Sequence, residues 1–211
     1  ELQNLKKVVE SNWISEGDFT RKFETQLADL CERRHALAFS NATSALITGM
    51  KSLGIGTGDS VVVPSFAHSA DPNSISATSA DPIFADVDTN TLCLSIDSIQ
   101  ESLTDNAKAV LFICAYGSAK GIEAVASFCD DKGLILINDC APALYGRINK
   151  KSIASYGDFS VLSFFADKTI TTGEGGMLLT DNSRLIEECN IYKHDGRRER
   201  GHSLIERRGF N

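Results

Sequence analysis

Apolar positions along this chain fall into two kinds of run. Leu2 to Asn12 and Asp18 to Cys31 carry them at helical spacing, and Phe19, Phe23, Leu27 and Leu30 share one face with Asp18 placed as the N-cap. Short, continuously apolar runs alternate with further helical patterns. His35 to Phe39, Ser60 to Val63, Pro82 to Asp86, Ala107 to Cys114 and Leu134 to Ile137 read as strands, Ala107 to Cys114 as a central one because its run is continuously apolar rather than alternating, and Leu134 to Ile137 as a buried one. Helices are predicted over Ala45 to Leu53, from about Asp71 to Ala80, and over Ser95 to Leu103 and Gly121 to Lys132. Ser155 to Ser163 reads as a strand, Gly175 to Thr180 as a returning strand, and Asp181 as the cap of a helix from Ser183 to about His194. This regular alternation predicts an α/β fold, a mainly parallel sheet with helices on both faces.

Composition narrows the function classes. The 211 residues suffice for one large α/β domain or two small ones. A net charge of −7 without a long basic run before the tail argues against nucleic acid as a partner. No apolar stretch approaches the ~20 residues of a membrane helix, and the charged start Glu1 to Glu10 is not a signal peptide. Six scattered cysteines without a C-x-x-C pair suit reduced thiols in a cytoplasmic protein better than disulfides or zinc. The first residue is Glu and the last is Asn211 after Gly-Phe, so both ends read as cut.

Candidate chemistry centres on Ser160 to Asp181. One lysine, Lys168, lies between two strand-like runs. It is either a solvated turn residue or a desolvated amine able to attack a carbonyl. Ser40 to Ser44 is a small polar turn between strand and helix, where free N–H groups and the helix dipole cap the helix or favour a phosphate. His68 follows a strand, where a flat ring can stack on a ligand or lie at the surface. Asp139 ends a strand, as a turn-capping residue or as partner to a buried cation; a metal is disfavoured because no second ligand lies nearby in sequence. Gly54-Ile55-Gly56-Thr57-Gly58-Asp59 is not a dinucleotide fingerprint, since it closes a helix and precedes a strand. Five arginines from Arg197 to Arg208 are either a solvated loop or forks for an acidic group.

Together these features suit pyridoxal phosphate (PLP). Ala42-Thr43 and Ser163 suit its phosphate, His68 its ring face, Asp139 its pyridine nitrogen and Lys168 its aldehyde. The segments N-A-T-S-A-L (41–46), G-I-G-T-G-D with V-V-V-P-S-F (54–66), Y-G (116–117), N-D-C-A (138–141) and S-F-F-A-D-K-T-I-T-T-G-E-G-G (163–176) resemble the DegT/DnrJ/EryC1/StrS family of PLP-dependent sugar aminotransferases. The last is similar to the branch that makes perosamine on a GDP-linked sugar.

The resemblance implies a fold type I large domain with a seven-stranded sheet. It implies transfer of an amino group from glutamate to a keto carbon of a nucleotide-linked deoxysugar, in a homodimer. It assigns Lys168 to the covalent link with PLP, Asp139 to the pyridine nitrogen, and Ala42, Thr43 and Ser163 to the phosphate. His68 takes the stacking position, and Asn211, in Gly-Phe-Asn, reaches the phosphate across the dimer interface. A non-catalytic PLP-binding protein and a PLP-dependent sugar-nucleotide dehydratase are the rival readings. Lysine at 168, where the related dehydratases carry histidine, favours transamination. Three positions depart from the family pattern: Pro142 stands where Gln or Glu is usual, Asn138 where Glu is usual, and Ala42 where Gly is commoner. The expected organisation is an N-terminal arm over 1–17, a PLP-binding domain over 18–195 and the start of an interface segment over 196–211, without the family's small C-terminal domain.

Overall fold

The apolar runs become strands and the helical patterns become helices, with shifted ends. A computed structural model describes residues 1–198 and 204–210. In chain order the first elements are α1 (Leu2–Glu10), α2 (Asp18–Leu30), β1 (His35–Phe39), α3 (Ala42–Ser52), β2 (Ser60–Pro64), α4 (Ala70–Ala77) and β3 (Asp81–Ala85). Then come α5 (Ile96–Ser102), β4 (Ala107–Ile113), α6 (Ile122–Lys132) and β5 (Ile135–Asp139). A small hairpin of β6 (Arg147–Ile148) and β7 (Lys151–Ser152), not anticipated from sequence, precedes β8 (Phe159–Ser163), β9 (Gly176–Thr180) and α7 (Ser183–Lys193).

Among the described residues the main sheet has seven strands in the order β1-β9-β8-β5-β4-β2-β3. The pairs from β8 through β5, β4 and β2 to β3 are parallel, and β9 runs antiparallel to both its neighbours. The expected mostly parallel seven-stranded sheet is therefore present. Because β9 is reversed, its start lies level with the carboxyl ends of β1 and β8, with Phe39 paired to Gly176 and Gly176 to Ser163.

Burial is two-sided, which explains the continuous apolar runs. On one face Leu46 and Met50 of α3, Ile75 of α4 and Leu185 and Cys189 of α7 pack on Val61, Val63, Leu111 and Ile137. On the other, Leu27 of α2, Ile99 of α5 and Val125 and Cys129 of α6 pack on Val62, Val110, Phe112 and Leu136. At about 25 cal/mol per Å² of apolar surface removed from water, these two layers are the main source of stability.

Two expected caps are corrected. Asp18 is the first helical residue of α2, and Gly17 holds the cap position. Asn182, not Asp181, caps α7, its Oδ1 accepting from the N–H groups of Arg184 and Leu185. Asp181 is held instead by Arg33 and by the Arg34 N–H. The strand expected from Ser155 begins only at Phe159, because Ile153–Ser155 forms a 3-10 turn.

Candidate active site

Strand direction places the candidate chemistry. The carboxyl ends of β1, β2, β5 and β8 share one edge of the sheet, where open α/β folds bind ligands. Helix α3 starts at this edge. Asn41 caps it, its Oδ1 accepting from the Ser44 N–H at 2.8 Å. Ala42 and Thr43 are thus first-turn residues, three positions earlier than the sequence pattern suggested, and helix geometry leaves their N–H groups without intrahelical acceptors. Ser163 ends β8 beside them, its Oγ accepting from the Phe165 N–H at 3.4 Å. Gly176 closes the corner: a side chain there would meet the backbone of Asn41 and Ala42.

Asp139 ends β5 and is 7% exposed, its Oδ1 accepting from the Ala141 N–H at 2.7 Å. It stands opposite Val161, so Ser163 lies one strand over and two residues on, roughly 8 Å by sheet spacing. Burial pushes the Asp139 carboxyl up; the neighbouring Asp71 side chain, the Ala141 N–H and the charges of Lys168 and His68 oppose that push. Lys168 and His68 therefore lie within electrostatic reach of one carboxylate. His68 is exposed, and its Nδ1 lies 3.1 Å from the Ala70 N–H.

Lys168 departs from the expectation of a desolvated lysine between strands. It sits in the connection between β8 and β9, its side chain 30% exposed and its Nζ 3.6 Å from Asp167. The connection leaves the sheet at Phe164 and returns at Gly175, so the lysine overhangs the strand ends instead of lying among them.

The structure brings Lys168, Asp139, His68, Ser163, Ala42 and Thr43 to this one edge. Asn211 lies outside the described residues, as does Arg200 of the arginine-rich tail. Arg198 forms a two-pronged pair with Glu206, and Arg207 pairs with Glu188, so these two forks are engaged within the chain. Asn138 is a structural residue: its Nδ2 donates to the Ile153 carbonyl at 2.7 Å, and its Oδ1 accepts from the Cys114 thiol. Pro142 is exposed. A cavity of about 580 Å³ shares Ser40 and Ser44 with this corner but extends away from Asp139, towards the Glu16–Lys193 ion pair and Phe210.

Sequence reasoning missed Asp71. It lies in the first turn of α4, is 2% exposed, and neighbours Asp139. The available signal was an acid at the predicted start of a helix, three residues after His68.

Two donors at a helix start, a hydroxyl, a buried carboxylate and an amine at one sheet edge fit PLP, which presents a phosphate, a basic ring nitrogen and an aldehyde. The comparisons with known proteins agree. The GDP-perosamine synthase of Vibrio cholerae is 38% identical over 197 residues, 93% of this chain and 54% of that protein. The X-ray structure of an aminotransferase from Psychrobacter cryohalolentis superposes with a TM-score of 0.92 at 31% identity, covering 100% of this chain and 56% of that one. The structure of NtdA from Bacillus subtilis, with bound cofactor PMP, superposes at 0.92 with 27% identity, over 99% of this chain and 48% of that one. The chain spans about half the length of the curated relatives it matches. The DegT/DnrJ/EryC1/StrS aminotransferase family matches residues 1–211, and the chain belongs to that family.

Proposed function

We propose that this chain carries the cofactor-binding part of a PLP-dependent sugar aminotransferase. It moves an amino group from glutamate to the keto carbon of a nucleotide-linked sugar, for example an NDP-4-keto-6-deoxyhexose. The observation that carries this reading is the buried carboxylate of Asp139 at the end of β5, on the same sheet edge as the donor-rich start of α3 and within electrostatic reach of Lys168 and His68. Similarity to GDP-perosamine synthases and to a dTDP-4-dehydro-2,3,6-trideoxy-D-glucose 4-aminotransferase supports the substrate class.

The roles follow from the chemistry of each group. The N–H groups of Ala42 and Thr43 and the Ser163 hydroxyl would hold the phosphate, as dipole-backed donors suited to an anion. His68 would cover the ring face. Asp139, buried and acceptor-only when ionised, would accept a charge-assisted hydrogen bond from the protonated ring nitrogen. When bound, PLP supplies an electron sink next to the amino group being moved. Lys168 would hold the aldehyde and then, once displaced by the incoming amine, carry the substrate α-proton on Nζ. Its loop position gives Nζ room for both tasks. Asn211 is assigned to the phosphate of a partner subunit in a homodimer. Six free, buried cysteines support a cytoplasmic site of action, and among the described residues no helix is long and apolar enough to cross a membrane.

The test is a half-reaction. Protein loaded with PLP should release 2-oxoglutarate on addition of glutamate, and borohydride should fix the cofactor covalently to the wild type but not to Lys168→Ala. Fixation without 2-oxoglutarate would favour a non-catalytic PLP protein or a dehydratase; no fixation would defeat the whole assignment.

A further inference from the structure

Asp139 faces a second acid as well as two bases. Asp71, in the first turn of α4, is 2% exposed, and its Oδ1 is buried with no hydrogen-bond partner. Two adjacent carboxylates in a dry site cannot both keep their charge. One proton between them removes the conflict: a protonated Asp71 donates to Asp139, and the orphaned oxygen environment is satisfied. The surrounding groups decide which acid keeps the proton. The Ala141 N–H, Lys168 and His68 all favour a charged Asp139. Asp71 receives backbone help only from its own N–H and from His68, and burial first, then Asp139, pushes its carboxyl up to about 9. The neighbouring Cys140 thiol packs in the core layer on the other face of the sheet, 3.8 Å from Cys114, and burial keeps it neutral.

We propose that Asp71 is a positioning residue: by donating its carboxyl hydrogen to Asp139, it fixes Asp139 as the ionised member of the pair and reserves that charge for the cofactor's ring nitrogen. The inference rests on the PLP reading of the site. Without the donor, Asp139 is an uncompensated buried carboxylate that takes up the proton itself and loses its hold on the ring nitrogen.

Asp71→Asn keeps an N–H donor, and Asp71→Leu removes it. PLP dissociation constants and the pH titration of the bound cofactor's visible absorption should match wild type in Asp71→Asn. In Asp71→Leu affinity should fall roughly tenfold or more, with the absorption titration displaced. Cofactor-free protein gives an independent readout. A folded-state carboxyl at about 9, against 3.8 for the free side chain, binds a proton on folding across that interval. Wild-type melting temperature should therefore fall as pH rises from 5 to 9, and Asp71→Asn should lose most of that slope. Equal slopes in the two proteins overturn the shared proton, and so the inference, whether or not Asp71→Leu folds. Wild-type affinity and titration in Asp71→Leu overturn the inference while leaving the PLP reading standing. A wild type that takes up no PLP overturns the reading and the inference with it.

Discussion

Gly176 and Asn41 meet backbone to backbone. A Cβ on Gly176 would lie 2.5 Å from the Asn41 carbonyl oxygen and from the Ala42 nitrogen, distances no methyl group tolerates. The glycine is required by this approach and not by its backbone angles, since it lies in a regular strand. Gly176→Ala must push the start of α3 away from Ser163. The expected cost is about 1–3 kcal/mol of stability, from overpacking against atoms that cannot rotate aside. PLP affinity should fall as well, because the displaced N–H groups are those assigned to the phosphate. Urea unfolding and a PLP titration check the two effects separately.

Arg33 ties three segments together from a buried position. Its Nε donates to the Ala154 carbonyl at 2.9 Å, one terminal nitrogen to those of Tyr156 and Gly157 at 2.8 Å, and the other to Asp181 at 2.9 Å. Arg33→Met leaves these acceptors unpaired and should cost about 3–5 kcal/mol, the range for breaking a buried charged network. Arg33→Lys should recover only part, because an ammonium cannot reproduce the planar fork. Burial alone would push the Asp181 carboxyl up, but the Arg34 N–H and the Arg33 guanidinium outweigh it and hold the group low. A depressed carboxyl stabilises the fold above its free value of 3.8 and loses that contribution as pH falls through its folded value. The acid side of the stability profile should therefore be shallower in Arg33→Met, as measured by melting temperature between pH 6 and 3.

The parts of the fold legible in sequence were those set by continuous burial. Ala109–Ile113 reads as a central strand because its five residues are continuously apolar, and all five are buried. Ends were less legible where adjacent residues compete for one role. Asp181 and Asn182 can both cap a helix, and Arg33, remote in sequence, decides between them by engaging Asp181. Thr43 and Ser44 read as a polar turn because small hydroxyl residues are weak helix formers, yet the Asn41 cap draws them into α3. The candidate site was legible as a set of residue types at strand ends. The overhang of Lys168 was not, because exposure depends on where the connection runs. Asp71 was hidden because its meaning comes from Asp139, which the sheet delivers from a different strand.

Thiol chemistry offers a check on the core that needs no cofactor. Cys31, Cys93, Cys114, Cys129, Cys140 and Cys189 are all free and buried. Burial pushes Cys31 up to about 11 and Cys129 and Cys189 up to about 12, leaving almost no thiolate at neutral pH. In native protein all six should react with Ellman's reagent far more slowly than free cysteine, and in denaturant all six should react at once. Rapid labelling of Cys189 in particular would mean that α7 opens from the sheet face it covers.

Asp139→Asn isolates the charge at the proposed ring-nitrogen site from its shape. The amide fills the same space, and its oxygen can still accept from the Ala141 N–H. What it lacks is the negative charge that holds a protonated ring nitrogen, a bond of the charge-assisted class worth about 1.5–3 kcal/mol. PLP affinity should therefore drop roughly 10- to 100-fold, and glutamate-dependent release of 2-oxoglutarate should drop further, because a deprotonated ring withdraws electrons poorly. The substitution also acts on Asp71. Burial, the larger cause of its raised carboxyl, remains, while the like charge beside it disappears. The pH interval over which cofactor-free protein loses stability should therefore end at a lower pH than in wild type, while keeping more of the slope than Asp71→Asn does. Burial alone accounts for the flat profile of Asp71→Asn; the narrowing in Asp139→Asn follows only if the charge of Asp139 reaches Asp71 in the folded protein.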